Sequence, residues 1–164
     1  NRCLVGSEMC IRDSSKCLGI DFGTTNSVCS IKIGEKVIFI EDSKKMNLIP
    51  SIVCFDKTVK VGNDIDLEKN LQNSIFSIKR HFTDNPDGQI VINSKSDCLS
   101  PVEIAKEIFS HLKKICNDFL DEEVNDCIIT VPAYYDERAR SGIMRSALMS
   151  GCLLYTSPSP RDTG

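Results

Sequence analysis

The ten residues Leu18-Gly19-Ile20-Asp21-Phe22-Gly23-Thr24-Thr25-Asn26-Ser27 constrain this chain more than any other stretch. Leu18 and Ile20 suit a buried strand. That strand delivers one carboxylate, Asp21, to its end. Gly23 then lets the backbone turn tightly and approach a ligand with no Cβ in the way. Successive N–H groups in such a turn form an anion-binding concavity, and Thr24 and Thr25 set hydroxyls beside it. Asp21 is suited to hold Mg²⁺ through water, because Mg²⁺ gives up its hydration reluctantly. Together these residues read as half of a site for nucleotide phosphates. Taken alone they are equally a strand followed by a polar turn, since short glycine motifs recur by chance.

The 164 residues suffice for one domain or one and a half, and a 41% hydrophobic content allows a globular core. A net charge of −3 with no basic block argues against nucleic acid as the main partner. No apolar run reaches the length needed to span a bilayer, and no apolar segment follows a basic start as in a secretory signal. The nine cysteines include no C-x-x-C pair, so a zinc or redox site is poorly supported. Cys29, Cys116 and Cys127 lie among apolar residues, as small core hydrophobes do. Reduced thiols and an intracellular setting, cytoplasmic or its mitochondrial or bacterial equivalent, are the expectation. His81 and His111 are far apart and read as surface or partly packed residues.

Both ends are unlike the middle. Residues 1–14 and 152–164 resemble translated sequencing-library adapter and are set aside as terminal tails, natural flexible tails being the other reading. The expectation is then a segment cut at both sides.

Between the tails, residues 17–21, 27–33 and 37–40 read as an antiparallel three-strand meander, with Gly34-Glu35-Lys36 as a hairpin connection. Strands are expected at 51–55, 59–61 and 89–92, and a short helix at 66–70. In residues 74–82, Ile75, Ile78 and Phe82 share one helical side, with Lys79 and Arg80 off it. Asn85-Pro86-Asp87-Gly88 has turn chemistry. Ser100-Pro101-Val102-Glu103 is a capping box with proline at the first helical position. The helix after it carries Ala105, Ile108, Phe109, Leu112, Ile115, Cys116 and Phe119 as one apolar stripe. Residues 127–131 form a strand buried on both faces, ended by Pro132. Residues 136–149 form a second helix, with Gly151 suited to its end. The order is βββαβα. Its crossover should set strand 127–131 parallel to the first strand, bringing Asp21 and Pro132 to one sheet edge, where ligands of open α/β sheets bind. This is the order of the ribonuclease-H-like half of actin-type ATPases. It divides into a core of residues 15–42 and 99–151 and an inserted α+β subdomain of residues 43–98.

Four segments, in order, resemble the heat-shock protein 70 chaperones. They are the first phosphate loop at Gly19 to Ser27, the Pro-Ser step of Ile49-Pro50-Ser51, the lysine segment Phe76-Ser77-Ile78-Lys79-Arg80, and the strand-to-helix signature Ile129-Thr130-Val131-Pro132-Ala133-Tyr134-Tyr135. The short inserted region and Ala139-Arg140 followed by Met144 look closest to the Hsc-type branch serving iron–sulfur-cluster assembly. Tyr135 stands where the family often has phenylalanine.

The resemblance implies ATP or ADP with Mg²⁺ as ligands. Asp21 would fix the metal through water, and Gly23, Thr24, Thr25 and Asn26 would cradle phosphates. Lys79 would serve the γ-phosphate and attacking water, a sensible role because phosphoryl transfer needs mainly positioning and charge stabilisation. Pro132 and Arg140 would relay nucleotide state. Without the family, Lys79 reads as an ordinary surface lysine, Pro132 as a strand terminator and Arg140 as a solvated helix arginine. Client peptides, a J-domain co-chaperone and a nucleotide-exchange factor are the implied partners. The rest of the nucleotide site and the peptide-binding domain would follow residue 151, so the segment by itself is expected to bind ATP poorly and not turn it over. The alternatives are a sugar or acid kinase of the same superfamily and a truncated product without activity.

Overall fold

The computed structural model describes residues 2–4, 16–92 and 98–154, the side chains of 2–4 and 153–154 excepted. Expectations for residues 1, 5–15, 93–97 and 155–164 lie outside the described residues. The strands are β1 (Arg2–Leu4), β2 (Leu18–Phe22), β3 (Asn26–Ile33), β4 (Lys36–Phe39), β5 (Ile49–Pro50), β6 (Val53–Phe55), β7 (Val59–Val61), β8 (Ser74–Ile75), β9 (Ile90–Val91), β10 (Cys98–Leu99), β11 (Asp126–Pro132) and β12 (Leu153–Leu154). The helices are α1 (Leu67–Asn70), α2 (His81–Asp84), α3 (Pro101–Leu120) and α4 (Glu137–Met149).

The main sheet runs β1-β11-β2-β3-β4, with β5 beside β3 and β12 beside β11. β2, β3 and β4 form the antiparallel meander, and the α3 crossover returns the chain to β11, parallel to β2. Their register sets Thr130 opposite Asp21. The terminal residues, set aside as tails, contribute two short strands instead: Arg2–Leu4 and Leu153–Leu154 both pair with β11.

Alternation builds the core. Leu18, Ile20 and Phe22 of β2 and Cys127, Ile129 and Val131 of β11 are buried on one face, while Gly19, Asp21 and Thr130 belong to the other. The strand 127–131 is therefore not equally buried on both faces: its even-numbered residues are half-buried. The buried face meets α3, where the capping box is complete: Glu103 N–H donates to Ser100 Oγ and Ser100 N–H to Glu103 Oε1, each at 3.1 Å. Ala105, Ile108, Phe109, Leu112, Ile115 and Cys116 are buried as expected, but Phe119 is exposed near the helix end. α4 packs on α3, and Ser146 Oγ donates to the Val102 carbonyl at 2.9 Å. Gly151, with φ at +91°, ends that helix in a conformation that favours glycine. The same apolar core takes in Val53, Phe55, Val61, Ile78 and Phe82.

Residues 74–82 are not one helix. Ser77 adopts φ 54°, so β8 is followed by a 3₁₀ turn, Ile78–Arg80, and then by α2. That break redirects Lys79 inward. The buried cysteines include Cys29, Cys116 and Cys127, as expected, and Cys54 and Cys152 besides, while Cys98 is exposed. These six are free, whereas Cys17 is disulfide-bonded, against the expectation of reduced thiols. Among the described residues, no helix is long and apolar enough to cross a membrane.

Candidate functional site

The carboxyl end of β2 is where the chemistry-bearing residues gather. Asp21 leaves β2 on the face away from α3, and Thr130 beside it donates a hydroxyl to Asp21 Oδ1 at 3.3 Å. A threonine within the apolar run of residues 127–131 was the available signal for this partner.

The turn of Gly23, Thr24 and Thr25 joins β2 to β3. It is too tight for a side chain at its first residue: a Cβ on Gly23 would fall 2.2 Å from the Asn26 carbonyl oxygen. Thr25 is exposed, and Gly23, Thr24 and Asn26 are half-buried. Ser51 braces the turn from outside. Its Oγ donates to the Gly23 carbonyl at 2.9 Å, and its N–H donates to the Thr25 carbonyl at 2.9 Å. Ser27 Oγ lies 2.8 Å from Ser51 Oγ. Because the single Ser51 hydroxyl hydrogen goes to Gly23, Ser27 is the donor in that pair. Sequence reasoning placed Ser51 in the Pro-Ser step and at the head of a strand, which instead begins at Val53, and missed its bond to the turn. Hydroxyls so far apart in sequence carry no local signal of pairing.

Lys79 is 6% exposed, not the surface lysine that helical periodicity suggests. Its Nζ donates to the Phe22 carbonyl oxygen, one residue beyond Asp21. The ammonium also lies 5.8 Å from the Phe22 ring centroid and 5.9 Å from that of Tyr135. A buried charge needs such compensation, and cation–π contact with two rings supplies part of it. Lys79 comes in on the Phe22 side of β2 and Asp21 leaves on the other, so the two flank the strand's end.

Pro132 closes β11, and Tyr135 N–H donates to its carbonyl at 3.1 Å. Arg140 sits in the first turn of α4, which Asp136 caps by accepting Ala139 N–H at 2.8 Å. Burial, with Tyr134 adjoining, pushes the Tyr135 phenol well above its usual range. Among the described residues, no group of three or more His, Cys, Asp or Glu side chains gathers as a metal site.

Comparison with known proteins gives the family of the chain. A family model described as "Hsp70 protein" matches residues 17–85 and 68–152. The chain belongs to the Hsp70 family. Among curated Hsp70 relatives, it is 33% identical over 152 residues to "Chaperone protein HscA" of Buchnera aphidicola subsp. Schizaphis graminum, the match taking in 80% of this chain and 25% of that protein. It is 31% identical over 161 residues to "Chaperone protein DnaK" of Psychrobacter cryohalolentis, covering 83% and 25% respectively. It is 32% identical over 147 residues to "Chaperone protein HscA homolog" of Rickettsia bellii, covering 82% and 25%. The chain thus spans about a quarter of the length of the Hsp70 chaperones it matches. These matches do not favour the kinase alternative.

Proposed function

We propose that this segment supplies one side of an ATP-hydrolysing site in a chaperone of the Hsp70 family, through a lobe of the actin-like, ribonuclease-H-like kind. In this reading residues 43–98 are its inserted subdomain. The observation that carries the proposal is the delivery of a buried ammonium, Lys79, to the backbone between Asp21 and the glycine turn.

The residues fit a magnesium nucleotide. Asp21 offers the metal hard oxygen, with water completing the shell. The turn at Gly23 takes its tight shape because no Cβ can stand there, and successive main-chain amides in a turn of this kind can cradle phosphate. The chemistry that Mg²⁺ would supply beside Asp21 is neutralisation of phosphate charge. The chain's own residues then do the positioning. Thr24 and Thr25 offer hydroxyls to phosphate oxygens, Ser51 and Ser27 hold the turn's shape, and Lys79 sets a positive charge where the γ-phosphate and its attacking water would lie. Phosphoryl transfer needs little else from a protein.

Pro132 and Arg140 belong to the strand-to-helix corner beside this site and are proposed to relay nucleotide state to client binding. Client peptides, a J-domain co-chaperone and a nucleotide-exchange factor are the proposed partners, in the cytoplasm or its organellar equivalent. The HscA names among the relatives support the branch serving iron–sulfur-cluster assembly.

The test is magnesium-dependent ATP hydrolysis by the full-length protein containing this segment. Asp21→Asn and Lys79→Ala should each lower it at least about a hundredfold, the scale of losing one transition-state charge contact. Wild-type turnover in both variants removes the assignment.

A further inference from the structure

We propose that the hydroxyl of Tyr135 is a positioning group for Lys79. It holds the main chain of the lysine's turn so that the ammonium is delivered to the end of β2. This rests on the ATPase reading above.

Tyr135 is buried, and its Oη donates to the Lys79 carbonyl oxygen at 3.0 Å. Lys79 is therefore gripped at both ends, by Phe22 at the ammonium and by Tyr135 at the main chain. The contacts close a circuit. β2 ends at Phe22, and β11 lies beside it through the Asp21–Thr130 register. β11 ends at Pro132, whose carbonyl accepts the Tyr135 N–H. Tyr135 then reaches across to Lys79, which returns to Phe22. The turn being gripped needs it: it starts from Ser77 at φ 54°, a conformation that residues with a Cβ adopt reluctantly.

The hydroxyl, not the ring, makes the difference. Phenylalanine, the residue often found here in the family this chain resembles, would keep the ring near the ammonium but would leave the Lys79 carbonyl without this donor. A lost donor of this kind loosens a turn without emptying the core.

Tyr135→Phe, Lys79→Ala and the double variant of the full-length protein separate the possibilities. Single-turnover hydrolysis and MgATP affinity are measured well below each variant's melting temperature. Tyr135→Phe should slow hydrolysis about fivefold, the scale of one neutral hydrogen bond, with Kd within about twofold. It should add no further slowing to Lys79→Ala, as coupled residues behave. An unchanged rate in Tyr135→Phe beside an inactive Lys79→Ala overturns this inference alone. So does a Kd that rises as much as the rate falls, because that marks a merely structural role. A wild-type rate in Lys79→Ala overturns the ATPase site assignment, and this inference with it.

Discussion

Ser51 donates its hydroxyl to the Gly23 carbonyl at 2.9 Å while receiving that of Ser27 at 2.8 Å, both serines being fully buried. A chain of two hydroxyls thus fixes the backbone of the glycine turn to the segment between β5 and β6. Removing the middle member strands two partners at once. Ser51→Ala should destabilise the chain by roughly 1–3 kcal/mol, the cost of buried groups left unsatisfied, and Ser27→Ala by less, since it ends the chain. Urea unfolding of the 164-residue chain reads both. Equal midpoints for Ser51→Ala and wild type would show that the hydroxyl chain holds nothing.

Gly23 tolerates no side chain because the atom it would strike, 2.2 Å away, is the backbone oxygen of Asn26 and cannot swing aside. Gly23→Ala must open the turn between β2 and β3. In the full-length protein the expected result is weaker MgATP binding, by at least roughly tenfold or about 1.4 kcal/mol, with far-ultraviolet circular dichroism unchanged. Titration calorimetry giving wild-type affinity would contradict the cradle.

Much of this was legible beforehand, for physical reasons that can be named. Ser100-Pro101-Val102-Glu103 announces its helix through contacts three residues apart, and Gly151 announces a helix end through its backbone freedom. The meander follows from alternation, and the parallel return of β11 from the handedness of crossovers. What failed was the segment around Lys79. Ile75, Ile78 and Phe82 carry a helical period, yet Ser77 breaks the helix by adopting φ 54°, and nothing in a serine marks that choice. Local periodicity therefore put Lys79 outside, whereas the Phe22 carbonyl and two aromatic rings hold it inside. Phe119 failed the opposite way, holding the stripe's spacing near the helix end yet lying 43% exposed.

Gly142 lies where α4 packs tightly on the segment that carries α2. A Cβ there would fall 2.9 Å from Pro86 Cβ and 3.0 Å from Phe82 Cδ1. Two effects oppose each other in Gly142→Ala. Helix propensity gains about 1 kcal/mol, while overpacking of a filled core costs about 1–3 kcal/mol. Overpacking should win because Phe82 is fully buried and interiors are close-packed. The variant should melt at a lower temperature, and Phe82→Leu should be less harmful in its presence than in the wild type. Additive losses in a double-mutant cycle would mean the two residues do not meet.

Asp42 shapes the loop after β4 and gives acid stability a definite direction. Its Oδ1 accepts the N–H groups of Lys44 and Met46, and its Oδ2 accepts Asn63 Nδ2, each at 2.9 Å. Burial works against the charged carboxylate, but these three donors, aided by nearby His111, outweigh it and hold the carboxyl below its ordinary range. A depressed folded-state value means that the unfolded chain takes up the proton first. The stabilisation is therefore complete above about pH 4, the unfolded carboxyl's range, and fades as pH falls through the lower folded value. Asp42→Asn keeps one acceptor but turns an amide donor towards Asn63. At pH 7 it should cost roughly 1–3 kcal/mol, and the gap to wild type should narrow at a pH below about 4, as Asp42 in the folded chain takes up its proton. Denaturant midpoints at the two pH values measure this, and a gap of constant size would show that the Asp42 charge contributes nothing to holding the loop.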